Sequence, residues 1–171
     1  MDLITHWTAS RKWLETAGAW PALLPIRLLL AYEYASAGFG KLHGENWFAS
    51  VHDNFLFPFD LVPVDVSWFM ATWTEILGGI GLALGLATRF WALALIIVTI
   101  QAIAAVHWPD AFSSLAELWR GYAVTDKGFG NFRIPLLFIA MLVPLAFLGG
   151  GKLSLDYVLS AKLERRRITL S

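Results

Sequence analysis

The sequence predicts an all-α membrane protein: a polytopic four-helix bundle with two long outer loops. Three observations predict it. Of 171 residues, 57% are hydrophobic and only 15% are charged, against about 45–50% and 25% in soluble domains, so too few polar side chains remain to cover a water-facing surface. The apolar residues gather into four runs, each near the roughly 20 residues that a helix needs to cross a hydrocarbon core about 30 Å thick. Almost no amphipathic helix is left over to bury those runs inside a soluble fold.

The first run covers about residues 22–40 and carries Arg27 and Glu33. The second covers 66–87 and carries Glu75. The third, 90–106, has only Thr99 and Gln101 as strongly polar members. The fourth covers 134–150, where Pro135 suits a first helical turn and Pro144 predicts a kink. The inner connection around Leu86–Arg89 is short, whereas the outer ones, 42–65 and 108–131, are long enough to carry function. Residues 2–17 place Leu3, Trp7 and Leu14 on one face, as an interfacial helix does. Ser114-Leu115-Ala116-Glu117 has capping-box spacing and opens a short surface helix. Residues 157–171 form a basic tail, and the whole chain, 1–171, reads as a single domain.

Lys and Arg set the orientation. With both termini cytoplasmic, the inner side receives Arg11, Lys12, Arg89, Lys152, Lys162 and Arg165–Arg167. The outer side keeps Lys41, Arg120, Lys127 and Arg133. Trp20 and Trp91 then fall at the inner interface and Trp47, Trp68 and Trp108 at the outer one. The first run begins near residue 19, carries two charges and lacks a small-residue cleavage site, so it reads as a span rather than a signal peptide. Zero net charge gives no pull toward nucleic acid. The absence of cysteine excludes disulfides, thiolate metal sites and cysteine redox relays within the chain.

Ionisable groups inside a membrane are costly and usually face a bundle interior or a wet cavity. At about 1.5 Å rise per residue, Glu33 and Glu75 lie roughly 12 and 14 Å below the outer surface, and Gln101 roughly 9 Å below it. Lys41, His43 and His107 stand at the rim. These depths predict a polar pocket between the first three spans, opening outward, with Glu33, Glu75, Gln101, His107 and Lys41, and with Arg27 as a further charge. Two close carboxylates in a low dielectric should not both ionise, so one should hold a proton. The alternative is purely structural: Glu33 pairs with Lys41 or Arg27, and Glu75 with Gln101, to fix packing. His43 and His107 are candidate copper or zinc ligands by residue type alone. The glycines after Glu75 suit close helix approach rather than phosphate binding. No nucleophile elbow, P-loop or zincin motif assigns a reaction, so the sequence leaves open whether the protein is an enzyme.

Arg27, Gly38-x-x-Lys41, Glu75-x-x-Gly78-Gly79 and Gly85-x-x-Thr88-Arg89-x-x-Ala92 together resemble the DoxX family of small bacterial membrane proteins. The resemblance runs over about residues 22–156, through Gly151-Lys152-Leu153-Ser154-Leu155-Asp156. His43-Gly44-Glu45-Asn46-Trp47-Phe48, Ala105-Val106-His107-Trp108-Pro109, the stretch from Leu115 to Tyr122 and that from Thr125 to Phe132 are similar to the HvfX-type branch. The resemblance implies an inner-membrane bundle of four helices, contacts with the lipid bilayer, and work alongside the maturation proteins of a modified, copper-binding peptide. Relatives in quinone-linked oxidoreductases imply a second role, a quinone-interacting subunit, with Tyr32, Phe69 and Trp73 as candidate headgroup contacts. A membrane scaffold for soluble partners is a third. Quinone and copper are thus the two candidate cofactors.

Overall fold

The computed structural model describes residues 6–8, 10–13, 21–109, 111–119 and 131–170. Among these, all regular structure is helical. Four long helices occupy the four apolar runs: α1, Leu24–His43; α2, Val64–Leu84; α3, Thr88–Ala102; and, after the five-residue α4, Leu115–Trp119, α5, Arg133–Leu148. The α6 helix, Leu155–Leu170, follows. Residues 6–8 and 10–13 are helical and exposed. The rest of the expected interfacial helix, together with Trp20, Arg120, Lys127 and most of the stretch from Thr125, lies outside the described residues.

Local chemistry sets the ends. Pro25 occupies the first turn of α1, where no N–H partner is needed. Gly85, at φ +64°, ends α2. There Leu86 N–H donates to Gly81 O (2.9 Å) and Gly85 N–H to Leu82 O (3.1 Å), the Schellman arrangement that favours glycine. Ser154 caps α6 by accepting from Tyr157 N–H at 3.2 Å. The α5 helix runs on past Pro144 to Leu148. The α4 start departs from the expected box by one residue: Ser114 Oγ accepts from Glu117 N–H, but the Glu117 carboxylate returns to Ser113, not Ser114. At its C-terminal end α3 widens into a π-helical turn, Ile103–His107, which apolar periodicity does not announce.

The α1 helix packs along α2, α2 against α3, α3 against α5, and α5 back onto α1. Leu30, Leu82, Ala92, Leu95, Leu142 and Leu145 are solvent-free and form a shared core. Small residues let α1 and α2 meet: a Cβ on Gly38 would lie 2.7 Å from Ile76 Cγ1, and one on Gly79 would lie 2.8 Å from Ala31 O. Taken singly, the helices differ from the expectation of four spans. Among the described residues only Thr88–His107 is by itself both long and apolar enough to cross a bilayer; Arg133–Leu148 is apolar but shorter. The charges of Arg27, Glu33 and Lys41 interrupt α1, and Asp65 and Glu75 interrupt α2.

Candidate functional site

The C-terminal half of α1, the N-terminal half of α2, the C-terminal part of α3 and the start of α5 surround a cavity of about 510 Å³. Its lining is mostly apolar. Polar side chains come from Glu33, Tyr34 and Lys41 on α1, Ser67, Thr74 and Glu75 on α2, and Thr99, Gln101 and His107 on α3 and its π turn.

Lys41 Nζ donates to Glu75 Oε2 at 2.7 Å, and both side chains are largely withdrawn from solvent. Of the pairings considered from sequence, Lys41 with Glu33 and Glu75 with Gln101, neither forms. Lys41 crosses to the neighbouring helix because Gly38, one turn below it, brings α1 against Glu75 and Ile76. Glu33 lines the same cavity. Gln101 has a different partner: its Oε1 accepts from Leu56 N–H at 2.9 Å, tying the outer loop to α3. Tyr34 OH donates to Thr99 Oγ1 at 2.5 Å, and Thr99 donates onward to Leu95 O at 2.6 Å. Among the described residues, the Ser67 hydroxyl, on a residue only 6% exposed, has no hydrogen-bond partner.

The loop between α1 and α2 roofs this end. Three 3-10 turns, Phe48–Ser50, His52–Asn54 and Phe59–Leu61, carry it across. Phe48 is buried edge-on to Trp68 (5.0 Å) and to Phe55 (5.2 Å), and Trp47 packs beside it. Asn46 fixes the loop's start by donating to Asp65 and accepting from Phe48 N–H. The headgroup contacts expected at Tyr32, Phe69 and Trp73 are corrected here: all three are exposed on outer helix faces. The aromatic wall is instead made by Tyr34 and Phe138, edge-on at 5.8 Å, and by the roof.

Arg27 also requires correction, since it lies at the opposite end of α1 and lines no part of the cavity. Its Nη1 donates to Gly150 O (2.5 Å) and Leu153 O (3.1 Å), and Nη2 to Ala83 O (3.3 Å). A Cβ on Gly85 would lie 2.5 Å from this guanidinium. Thr88 is fully buried beside it. Asp156 accepts from Ala87 N–H (2.7 Å) and Thr88 N–H (2.9 Å), capping α3 from the start of α6. Ala87 thereby holds a left-handed φ of +50°. Arg89 extends outward along Gly149. Thus the motif residues divide: Gly38, Lys41, Glu75, Gly78 and Gly79 build the cavity end, while Arg27, Gly85, Thr88 and Arg89 build the opposite end.

The histidines are not gathered as metal ligands. His43 donates to Phe39 O in its own helix and is exposed. His52 donates to Val62 O. His107 lines the cavity and bonds Asn131. Among the described residues no three histidine, aspartate or glutamate side chains come together.

The DoxX family pattern matches residues 22–108. An uncharacterized protein of Haemophilus influenzae is 36% identical over 143 residues, covering 84% of this chain and 86% of its own length. No solved structure matches. The matched segment contains α1, α2, α3 and most of the cavity's polar groups, and on that pattern and that relative the chain belongs to the DoxX family of membrane proteins.

Proposed function

We propose that this protein crosses the bacterial inner membrane four times with both termini cytoplasmic, and that its cavity binds a small, largely apolar molecule of the quinone or quinol class. Broad outer faces of the long helices support the crossings: Leu29, Phe69, Leu77, Phe90, Leu93 and Phe147 are exposed apolar residues that water would not favour. The α2 helix, at 21 residues, is about 31 Å long at the usual rise, so the Lys41–Glu75 pair offsets its charge without shortening it. The distribution of Lys and Arg supports the orientation.

One observation carries the ligand class: an apolar cavity of about 510 Å³ that holds a buried ion pair and an unpartnered hydroxyl. That volume falls within the roughly 300–1,000 Å³ typical of small-ligand pockets. A ring with carbonyl or hydroxyl oxygens matches the polar groups. Ser67 bonds it without breaking an existing contact, the Lys41 ammonium donates to a quinone carbonyl, and the Glu75 carboxylate accepts from a quinol hydroxyl. Detergent-extracted protein should carry quinone detectable by mass spectrometry of an organic extract, and Glu75→Leu should lose it. Protein that neither retains nor rebinds quinone would sink this reading. For topology, cysteine at Glu45 should react with an impermeant thiol reagent from outside spheroplasts, and cysteine at the exposed Arg166 only after lysis. External labelling of Arg166→Cys reverses the orientation.

The similarity of the outer stretches from His43, Ala105 and Leu115 to the HvfX-type branch supports a second reading. Here the protein is an accessory in the maturation of a copper-binding peptide, with the cavity serving the peptide, its metal or a redox carrier. Gene deletion should then alter copper tolerance, peptide modification or export; no change in any of them excludes it.

A further inference from the structure

The cavity is closed unequally. Toward the loop end the aromatic roof covers it, pinned to α3 by the bond from Leu56 N–H to Gln101. At its deep end α2 and α3 meet, with a Cβ on Gly78 only 3.1 Å from the Leu95 side chain. Several positions of α2 and α3 that line the cavity are small or short: Ala71 and Thr74 on α2, Ala94 and Val98 on α3. Met70 and Ile97 flank them. Both line the cavity, yet they are 45% and 47% exposed, so each belongs at once to the cavity wall and to the apolar outer surface.

We propose that the gap between α2 and α3 is a lateral portal to the lipid, and that the ligand is a long-chain quinone or quinol whose tail lies in this gap while its head reaches the Lys41–Glu75 pair. The proposal rests on the quinone reading and adds the route and the tail. An isoprenoid-type tail gains contact with Met70 and Ile97 at no cost in buried polar groups. A charged, water-soluble solute meets an apolar slot on one side and a packed roof on the other, and burying its charge there without a partner is costly. The portal therefore selects for molecules already dissolved in the bilayer.

The test compares a tail-less and a long-tailed benzoquinone on protein in nanodiscs. Ala71→Trp and Ala94→Trp each fill the gap, whereas Ala37→Trp adds the same bulk on the α1 side of the cavity. The two gap variants should weaken the long-tailed ligand by about tenfold or more relative to the tail-less one. Ala37→Trp should leave the preference for the long tail unchanged. Unchanged long-tail affinity in both gap variants, or its loss in Ala37→Trp alone, overturns the portal while leaving the quinone reading in place. Wild-type protein that binds neither quinone overturns both. Should the tryptophan variants fail to fold, the natural lack of cysteine provides a second measurement. Maleimide labelling of Met70→Cys or Ile97→Cys should be slowed by the long-tailed ligand and not by the tail-less one; equal rates with both exclude a tail in this gap.

Discussion

Arg27 near one end of α1 and Lys41 near the other are both withdrawn from solvent, yet they are neutralised in different ways. Arg27, 1% exposed, spends its guanidinium on three backbone carbonyls, one after α5, one before α6 and one in α2. Its planar fork suits several fixed acceptors at once. Lys41 has one carboxylate partner, on the wall of a cavity. A cation fixed to carbonyls from three segments is a clamp. An ammonium paired with a single side chain can share its donors with a ligand. The difference teaches that burial of charge does not by itself mark a functional group; what matters is whether its partner is backbone or side chain.

The largest effect that tests this contrast should come from Arg27→Leu. It strands buried carbonyls that no second mutation can remove, and should destabilise by about 3–5 kcal/mol, read as a loss of melting temperature in detergent. A melting temperature near wild type would remove the clamp from the argument. Next, Lys41→Met should cost about 2–4 kcal/mol because it leaves Glu75 buried and unpaired, but the double variant Lys41→Met/Glu75→Leu should recover most of that loss while binding no quinone. The recovery, measured as a double-mutant cycle, is what separates the two ends. Asp156→Ala should cost about 1–2 kcal/mol by uncapping α3 at Ala87 and Thr88, with quinone retention intact. The smallest change is expected from Gln101→Ala. It removes one tie between roof and α3, worth about 1 kcal/mol or less, and should show as faster amide exchange in the 48–63 loop rather than a lower melting temperature.

The order of helices was legible in the sequence because apolar runs and their punctuation are local. Pro25, Gly85 and Gly149 stand where helices begin or stop. Depth arithmetic places Glu33 and Glu75 near one level, Gln101 somewhat higher and Lys41 and His107 at the rim, and all five line one cavity. Partner choice was not legible. A rise per residue gives height but not azimuth, so it cannot tell that Gln101 holds the loop rather than Glu75. For Arg27 height alone decides: 14 residues separate it from Lys41, about 21 Å along α1, so it belongs to the other end. Tyr32 and Trp73 are eye-catching aromatics, but they sit on outer faces. Tyr34 shares the buried stripe with Leu30 and Gly38, and Ser67 lies two turns before Glu75 on the cavity side of α2. Those spacings of four and eight were the signal available for the two residues that were missed.

The Arg27 clamp also has a timetable. Arg27 is joined to Gly150 across 123 residues of chain, and the N-terminus of α3 waits for Asp156, 68 residues beyond Thr88. At about 5–20 residues per second, the Arg27 acceptor leaves the ribosome roughly 6–25 seconds after Arg27 itself. Throughout that interval at most one of the cation's three final acceptors, Ala83 O, has been made. Release of the nascent chain before residue 150 would leave that charge exposed to the membrane, a feature by which proteolytic surveillance can distinguish unfinished molecules from finished ones.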